Sequence, residues 1–197
     1  NKINKIHISQ ALLFIKKLNL LYKTKSSKFV HSASEASFNF EALIQQIQNK
    51  IKIVEHLEYE KYLKKFISYN LIPLWENIKN DSKKTWPKDN LKKNLLHQYK
   101  TFSPSDFGFH NSLLFKNKLN FIDFEYFGYD DPVKIISDFL WHPGMLINKK
   151  NADLWIKGMF EIFKKDKSII KRFHIAHRIY GIRWILIMLK HLSKNKK

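Results

Sequence analysis

The stretch SPSDFGFHNSLLF, residues 103–115, decides how the chain reads. One acid, Asp106, stands in a loop-like run of small and aromatic residues, and Asn111 follows five positions later, just ahead of an apolar segment. QYKTF (98–102), SLLF (112–115) and LNFIDF (119–124) are short β-prone pieces separated by loop residues. The pair Asn117-Lys118, or its neighbour pair, is the expected turn of a hairpin between 112–116 and 119–123. With 117 and 118 at the centre, Ser112 faces Asp123 and Asn111 falls near Phe124. Such a hairpin brings Asn111 and Asp123 together.

Outside this region the period is helical. Ile8, Leu12, Ile15, Leu18 and Tyr22 recur at three- and four-residue steps and predict a helix over 5–22. TKSSKFVHSASEAS (24–37) reads as a loop. Helices are expected over 40–50 and 55–75, with Pro73 near the second end and Pro87 closing the lysine-rich turn after it. After DDP the pattern predicts helices over 133–141, 152–165 and 168–192. The last carries the stripe Ile175, Ile179, Ile182, Leu186 and Leu189, and SKNKK (193–197) reads as a frayed basic tail. The expected class is mostly α with a small β-hairpin at its functional centre, in a single domain over 1–197.

Composition narrows the possibilities. A chain of 197 residues, 44% hydrophobic, can bury one substantial core. Its best apolar run, 179–189, is interrupted by Gly181 and Arg183, so no membrane span is expected. Residues 1–10 lack the apolar core of a signal peptide, and the absence of cysteine fits a reducing cytoplasm. The formal charge of +19 raises a nucleic-acid role, but only three of the 36 basic residues are Arg, and the lysines are dispersed among Asn and Ile. Nucleic acid is therefore the weaker reading of that charge, which bears instead on solubility and encounter.

Asp106, Asn111 and Asp123 together suit phosphoryl transfer. Mg²⁺ takes hard oxygen ligands, and one carboxylate with one amide oxygen leaves room for nucleotide phosphates. A separate carboxylate must orient the acceptor hydroxyl and take its proton. Asp106 is the candidate base, and Asn111 and Asp123 are the candidate metal ligands.

PSDFGFHN (104–111) followed by FIDFEYFGYDDP (121–132) resembles the catalytic segment of the aminoglycoside phosphotransferase and choline kinase group, a branch of the protein-kinase-like fold. That family carries His-Gly-Asp, four residues, Asn, then a hairpin into Ile-Asp-Phe-Glu and a Gly-Asp-Pro. ALLFIKKLNLLY (11–22) resembles the helix after the family's hinge, and RIYGIRWILIML (178–189) its C-terminal helix. The resemblance implies that the chain is the C-terminal, catalytic lobe, with Asp106 as base, ATP and Mg²⁺ as cofactors, and Asn111 and Asp123 on the metal. Phe124 and Glu125 would complete the second metal motif.

Pro104 and Ser105 replace the family's loop histidine and glycine, so the bracing of the loop has to come from elsewhere; SPSDFGFHN resembles a bacterial subgroup in which the proline form is normal. The five glycines are isolated and no sheet precedes Asn1, so the nucleotide-binding N-terminal lobe is expected to be missing and the 197 residues to be inactive alone. The chain also begins without Met, as a fragment would. A pseudokinase that binds ligand without chemistry is the second reading, and a basic helical nucleic-acid binder the third.

Other residues have smaller expected roles. His110 is a candidate for touching phosphate or substrate, Gly108 for an unusual backbone angle, and Asp138 for tying its helix to the catalytic loop. Asp130 and Asp131 are expected to cap the helix that opens at Pro132. His174 and His177 lack a third metal ligand, and Trp141, Trp155, Tyr180 and Trp184 are expected in the core. The acceptor is expected to be a neutral or anionic hydroxyl compound, since 17 acids against 36 bases do not suit a polycation. Residues 141–155 and 40–75 are the expected lining of its pocket.

Overall fold

The computed structural model describes residues 3–24, 30–87 and 91–194. Its principal elements are α1 (Lys5–Tyr22), α2 (Phe40–Glu55), α3 (Lys61–Phe66), a π-helical turn (Ile67–Leu71), α4 (Ile72–Thr85), β1 (Thr101–Ser103), β2 (Ser112–Phe115), β3 (Lys118–Phe121), β4 (Gly128–Asp130), α5 (Pro132–Trp141), α6 (Lys149–Ile162) and α7 (Ile169–Leu192). The chain is mostly helical, with two small antiparallel sheets. It divides into two compact units, one of residues 1–37 and 95–173 and one of residues 38–94 and 174–197.

In the first unit α1 begins at Asn4, whose side chain accepts from the backbone N–H groups of Ile6 and His7. This satisfies donors that the first helical turn cannot pair. Ile8, Ile15, Leu18 and Tyr22 are buried along one face, as the period predicts, with Ala11 buried beside them and Leu12 half-buried. Leu12 lies against α6, where a Cβ on Gly158 would come within 2.3 Å of its Cδ1. α5 opens on the Asp131 side chain, which accepts from Val133 N, with Pro132 in the first turn; the expected cap is present.

Two features of the β region depart from expectation. The hairpin register is Ser112↔Phe121 to Phe115↔Lys118, so the turn is Lys116-Asn117, the neighbour of the expected pair. Both turn residues have positive φ, 45° and 60°, a pairing that matches the right-handed twist of the strands. Ser112 therefore faces Phe121 rather than Asp123. The second sheet was not expected: β1 pairs with β4 through Thr101↔Asp130 and Ser103↔Gly128. Three-residue strands lie below the length at which alternation can be read.

In the second unit Asn39 caps α2, which buries Phe40, Leu43, Ile47, Ile51 and Val54. The helix expected over 55–75 is two helices joined by the π-helical turn, and α4 runs through Pro73 to Thr85. Proline removes one backbone donor, and a π-turn just before it rearranges the hydrogen bonds there, so the helix continues instead of ending. The stripe Ile175, Ile179, Ile182, Leu186 and Leu189 is buried. Residues 25–29 of the expected loop and 195–197 of the expected tail lie outside the described residues, but Lys194 is tied to Glu58 O (2.8 Å) and to Glu60 (2.7 Å).

Candidate functional site

The loop 103–111 leaves β1 with its aromatic residues pointing inward. Phe107 is buried, its ring 4.8 Å from Phe121, 5.5 Å from Phe14 and 5.7 Å from Phe139. Phe109 sits 5.3 Å from Phe139, and its N–H points to Met145 Sδ at 3.0 Å. Burial of these rings holds the backbone while the polar residues between them stay accessible.

Ser105 has φ 67°, in the left-handed region that favours glycine. Hydrogen bonds hold it there. Its N–H donates to Ser103 Oγ (2.9 Å), its hydroxyl donates to Ser34 O (2.9 Å), and Lys134 Nζ donates to the same hydroxyl (3.0 Å). Lys134 is buried and also meets Asp130 (2.8 Å) and Asp138 (3.6 Å). The loop is thus braced from α5 through Lys134, which Asp138 meets within the same helix. Sequence reasoning missed Lys134. The available signal was acids four residues to either side of a lysine in an apolar helix.

Asp106 is the hub of the polar cluster. Its carboxylate accepts from His110 Nε2 at 3.0 Å and from Asn111 Nδ2 at 3.2 Å, and Asn111 Nδ2 also donates to its backbone oxygen at 3.0 Å. His142 Nε2 lies 3.8 Å away. The His110 hydrogen bond is the main cause that holds the Asp106 carboxyl below the usual range, against the opposing effect of burial. Asp106 is therefore an anion at neutral pH. His142, from the segment expected to line the acceptor pocket, was not singled out from sequence.

His142 Nδ1 accepts from Gly144 N–H (3.0 Å), which leaves Nε2 as the protonated nitrogen facing Asp106. Burial is the main cause, with His110 next, of the lowered His142 pKa. The rings of His110 and His142 stack in parallel at 3.8 Å. Gly108 keeps room for this pair, since a Cβ there would come within 2.6 Å of the His110 ring and 2.7 Å of Met145 Sδ. Its φ of −178° is ordinary extended backbone, so the expected unusual angle belongs to Ser105 instead.

Asp106, His110 and His142 are the one cluster of metal-ligating acids and histidines among the described residues, and His174 and His177 join none. Parallel stacking sets the in-plane lone pairs of the two rings side by side, so both cannot converge on one ion without a ring turning. The oxygen set is different. Asn111 commits its Nδ2 to Asp106, which leaves Oδ1 without a hydrogen bond among the described residues, and Ile122 N donates to Asn111 O (3.0 Å) so that the hairpin returns beside it.

Asp123 follows with φ 65°, exposed and without a hydrogen bond among the described residues. The structure therefore brings Asn111 to Asp106 directly, and Asp123 only as the residue after Asn111's backbone partner. Two residues on, Glu125 raises the pKa of the exposed Tyr126 phenol through a side-chain hydrogen bond, with Asp123 and Asp106 adding to the effect. Tyr126 thus faces the same acids, and it too was missed from sequence. Trp155 and Tyr180 are buried as expected, while Trp184 is half-buried and Trp141 is 44% exposed.

No known family profile matches the chain, and no curated protein matches it.

Proposed function

We propose that the chain is the catalytic lobe of an ATP- and Mg²⁺-dependent phosphotransferase of the aminoglycoside phosphotransferase and choline kinase type, acting on a hydroxyl of a small molecule. One observation carries this reading: an ionised, half-exposed Asp106 whose loop is anchored by buried aromatics and whose carboxylate is tied to the amide of Asn111. The positive φ of Ser105, where the resembled family has glycine, supports it as well. No helix among the described residues is long and apolar enough to cross a membrane.

Asp106 accepts the proton of the substrate hydroxyl as that oxygen bonds to the γ-phosphorus, while the bond from γ-phosphorus to the bridging oxygen breaks and ADP departs. His110 keeps the carboxylate ionised and oriented. Asn111 Oδ1 and the Asp123 carboxylate are hard oxygen donors of the kind Mg²⁺ takes, with Glu125 close by. When bound, the ion would neutralise charge on the transferring phosphoryl group. Ser105 acts through the backbone it holds and does not touch substrate. The dispersed positive surface directs the acceptor towards neutral or anionic hydroxyl compounds such as sugars.

The test is transfer of labelled γ-phosphate by the longest natural chain containing these residues, assayed with Mg²⁺ and a panel of sugars beside aminoglycosides. Asp106→Asn is expected to lower turnover by about 10²–10⁴-fold. Absence of transfer in the parent chain, or equal rates in parent and variant, would favour a ligand-binding lobe without chemistry.

A further inference from the structure

The first unit holds a cleft of about 580 Å³, formed by the end of α1, residues 97–99 and the segment after α6. It is built from Asn19, Tyr22, His97, Tyr99, Phe163 and the cationic rim of Lys23 and Lys165, none of which belongs to the cluster around Asp106. We propose that this cleft binds a small anion carrying a flat, hydrogen-bonding ring, the chemistry of a nucleoside monophosphate.

Asn19 carries the inference. It is 6% exposed, lines the cleft, and makes no side-chain hydrogen bond among the described residues. The Asn19 amide is not among the fully enclosed unpaired polar atoms, so the solvent of the cleft reaches it, and a ligand able to both donate and accept can take the place of that solvent. An amide is the side chain that pairs with the edge of a nucleobase through one donor and one acceptor.

The walls suit such a ring. Tyr22 is buried and stacks on His97 at 5.0 Å, locked there by its hydroxyl donating to His97 O at 2.8 Å, so a rigid aromatic wall with His97 on its outer side is already in place. Phe163 adds a buried apolar surface.

The charge selects an anion. Lys23 and Lys165 have no ion-pair partner among the described residues, whereas Lys164 is held by Glu161 at 2.6 Å. Asp166, the acid in the lining, is occupied by Arg172 (2.6 Å) and Ser168, so it does not repel the ligand as a free carboxylate would. Two ammonium groups without an ion-pair partner among the described residues, on a cleft lined by polar and aromatic side chains, match a phosphate attached to a heterocycle.

The experiment titrates AMP into the 197-residue chain, followed by calorimetry and by amide chemical shifts. Saturable binding is expected, with shifts centred on residues 19–23, 97–99 and 162–166. Asn19→Leu and the pair Lys23→Glu with Lys165→Glu are each expected to weaken it at least about tenfold. Asn19→Leu is also expected to keep a cooperative melting transition and the parent's dispersed amide spectrum, so loss of binding cannot be put down to unfolding. Asp123→Asn is expected to leave AMP binding unchanged, which separates the cleft from the proposed phosphotransfer site. Adenosine and inorganic phosphate are each expected to bind at least about tenfold more weakly than AMP. No AMP binding, binding indifferent to Asn19→Leu, binding lost in Asp123→Asn, or phosphate alone binding as tightly as AMP would overturn the assignment.

Discussion

Asp106 and Asp130 show how the surroundings of two acids in one unit shift them in opposite directions. His110 lowers the Asp106 pKa from the usual carboxylate range, while complete burial is the main cause that pushes Asp130 up to about 6 despite Lys134 beside it. Because the Asp130 value is raised on folding, its protonated form favours the native state below the unfolded pKa near 4. That contribution is lost as pH rises through about 6. An asparagine at this position would mimic the protonated acid at every pH. Urea denaturation of the parent and of Asp130→Asn between about pH 4 and 7 should therefore show the difference moving in the variant's favour as pH rises, and a difference independent of pH would refute the burial argument. The contact between Asp106 and Asn111 was legible in the sequence because their spacing is local. The positions of Lys134, His142 and Tyr126 beside it were not, because each reaches the loop from a different element.

At the scale of elements, the site depends on strands too short to announce themselves. β4 pairs with β1 on one side, and the segment 31–33 lies along it through Tyr129 N to His31 O and Ala33 N to Tyr129 O, both 3.0 Å. Gly128 makes that approach possible, since a Cβ there would lie 2.3 Å from Ala33 N and 2.5 Å from His31 O. These are backbone atoms, so neither side can give way by turning a side chain. Gly128→Ala is expected to destabilise the protein by about 2–3 kcal/mol in a denaturant titration and to loosen Ser105, whose hydroxyl donates to Ser34 O just beyond. A change below about 0.5 kcal/mol would show that the segment moves aside freely. The helices, by contrast, were read almost to the residue where several turns repeated the pattern: α1 was expected and found over the same residues. The helix around Pro73 was misread, because a π-turn is a tertiary accommodation that leaves no periodic mark.

For the whole molecule the dominant quantity is charge. At +19 the folded chain repels itself, and the ions of a salt solution screen that repulsion over about 10 Å at 0.1 M. Raising sodium chloride from about 20 to 300 mM at neutral pH is therefore expected to raise the melting temperature by roughly 2–4 °C, of the order that a 1 kcal/mol gain gives at this size. An unchanged or falling value would mean that the ion pairs lost to screening outweigh the repulsion relieved. The sequence by itself determined the mostly helical class, the buried stripes of α1 and α7, the cap at Asp131 and the pairing of Asp106 with Asn111. These follow from spacing along the chain, where a helical period, a turn and a five-residue step are set locally. Tertiary structure alone decided the second sheet, the hairpin register, the Lys134 brace, the His110–His142 stack and the unpaired Asn19 in its cleft. Each of these depends on which distant residues share a volume once the core closes, and on which polar groups find partners there.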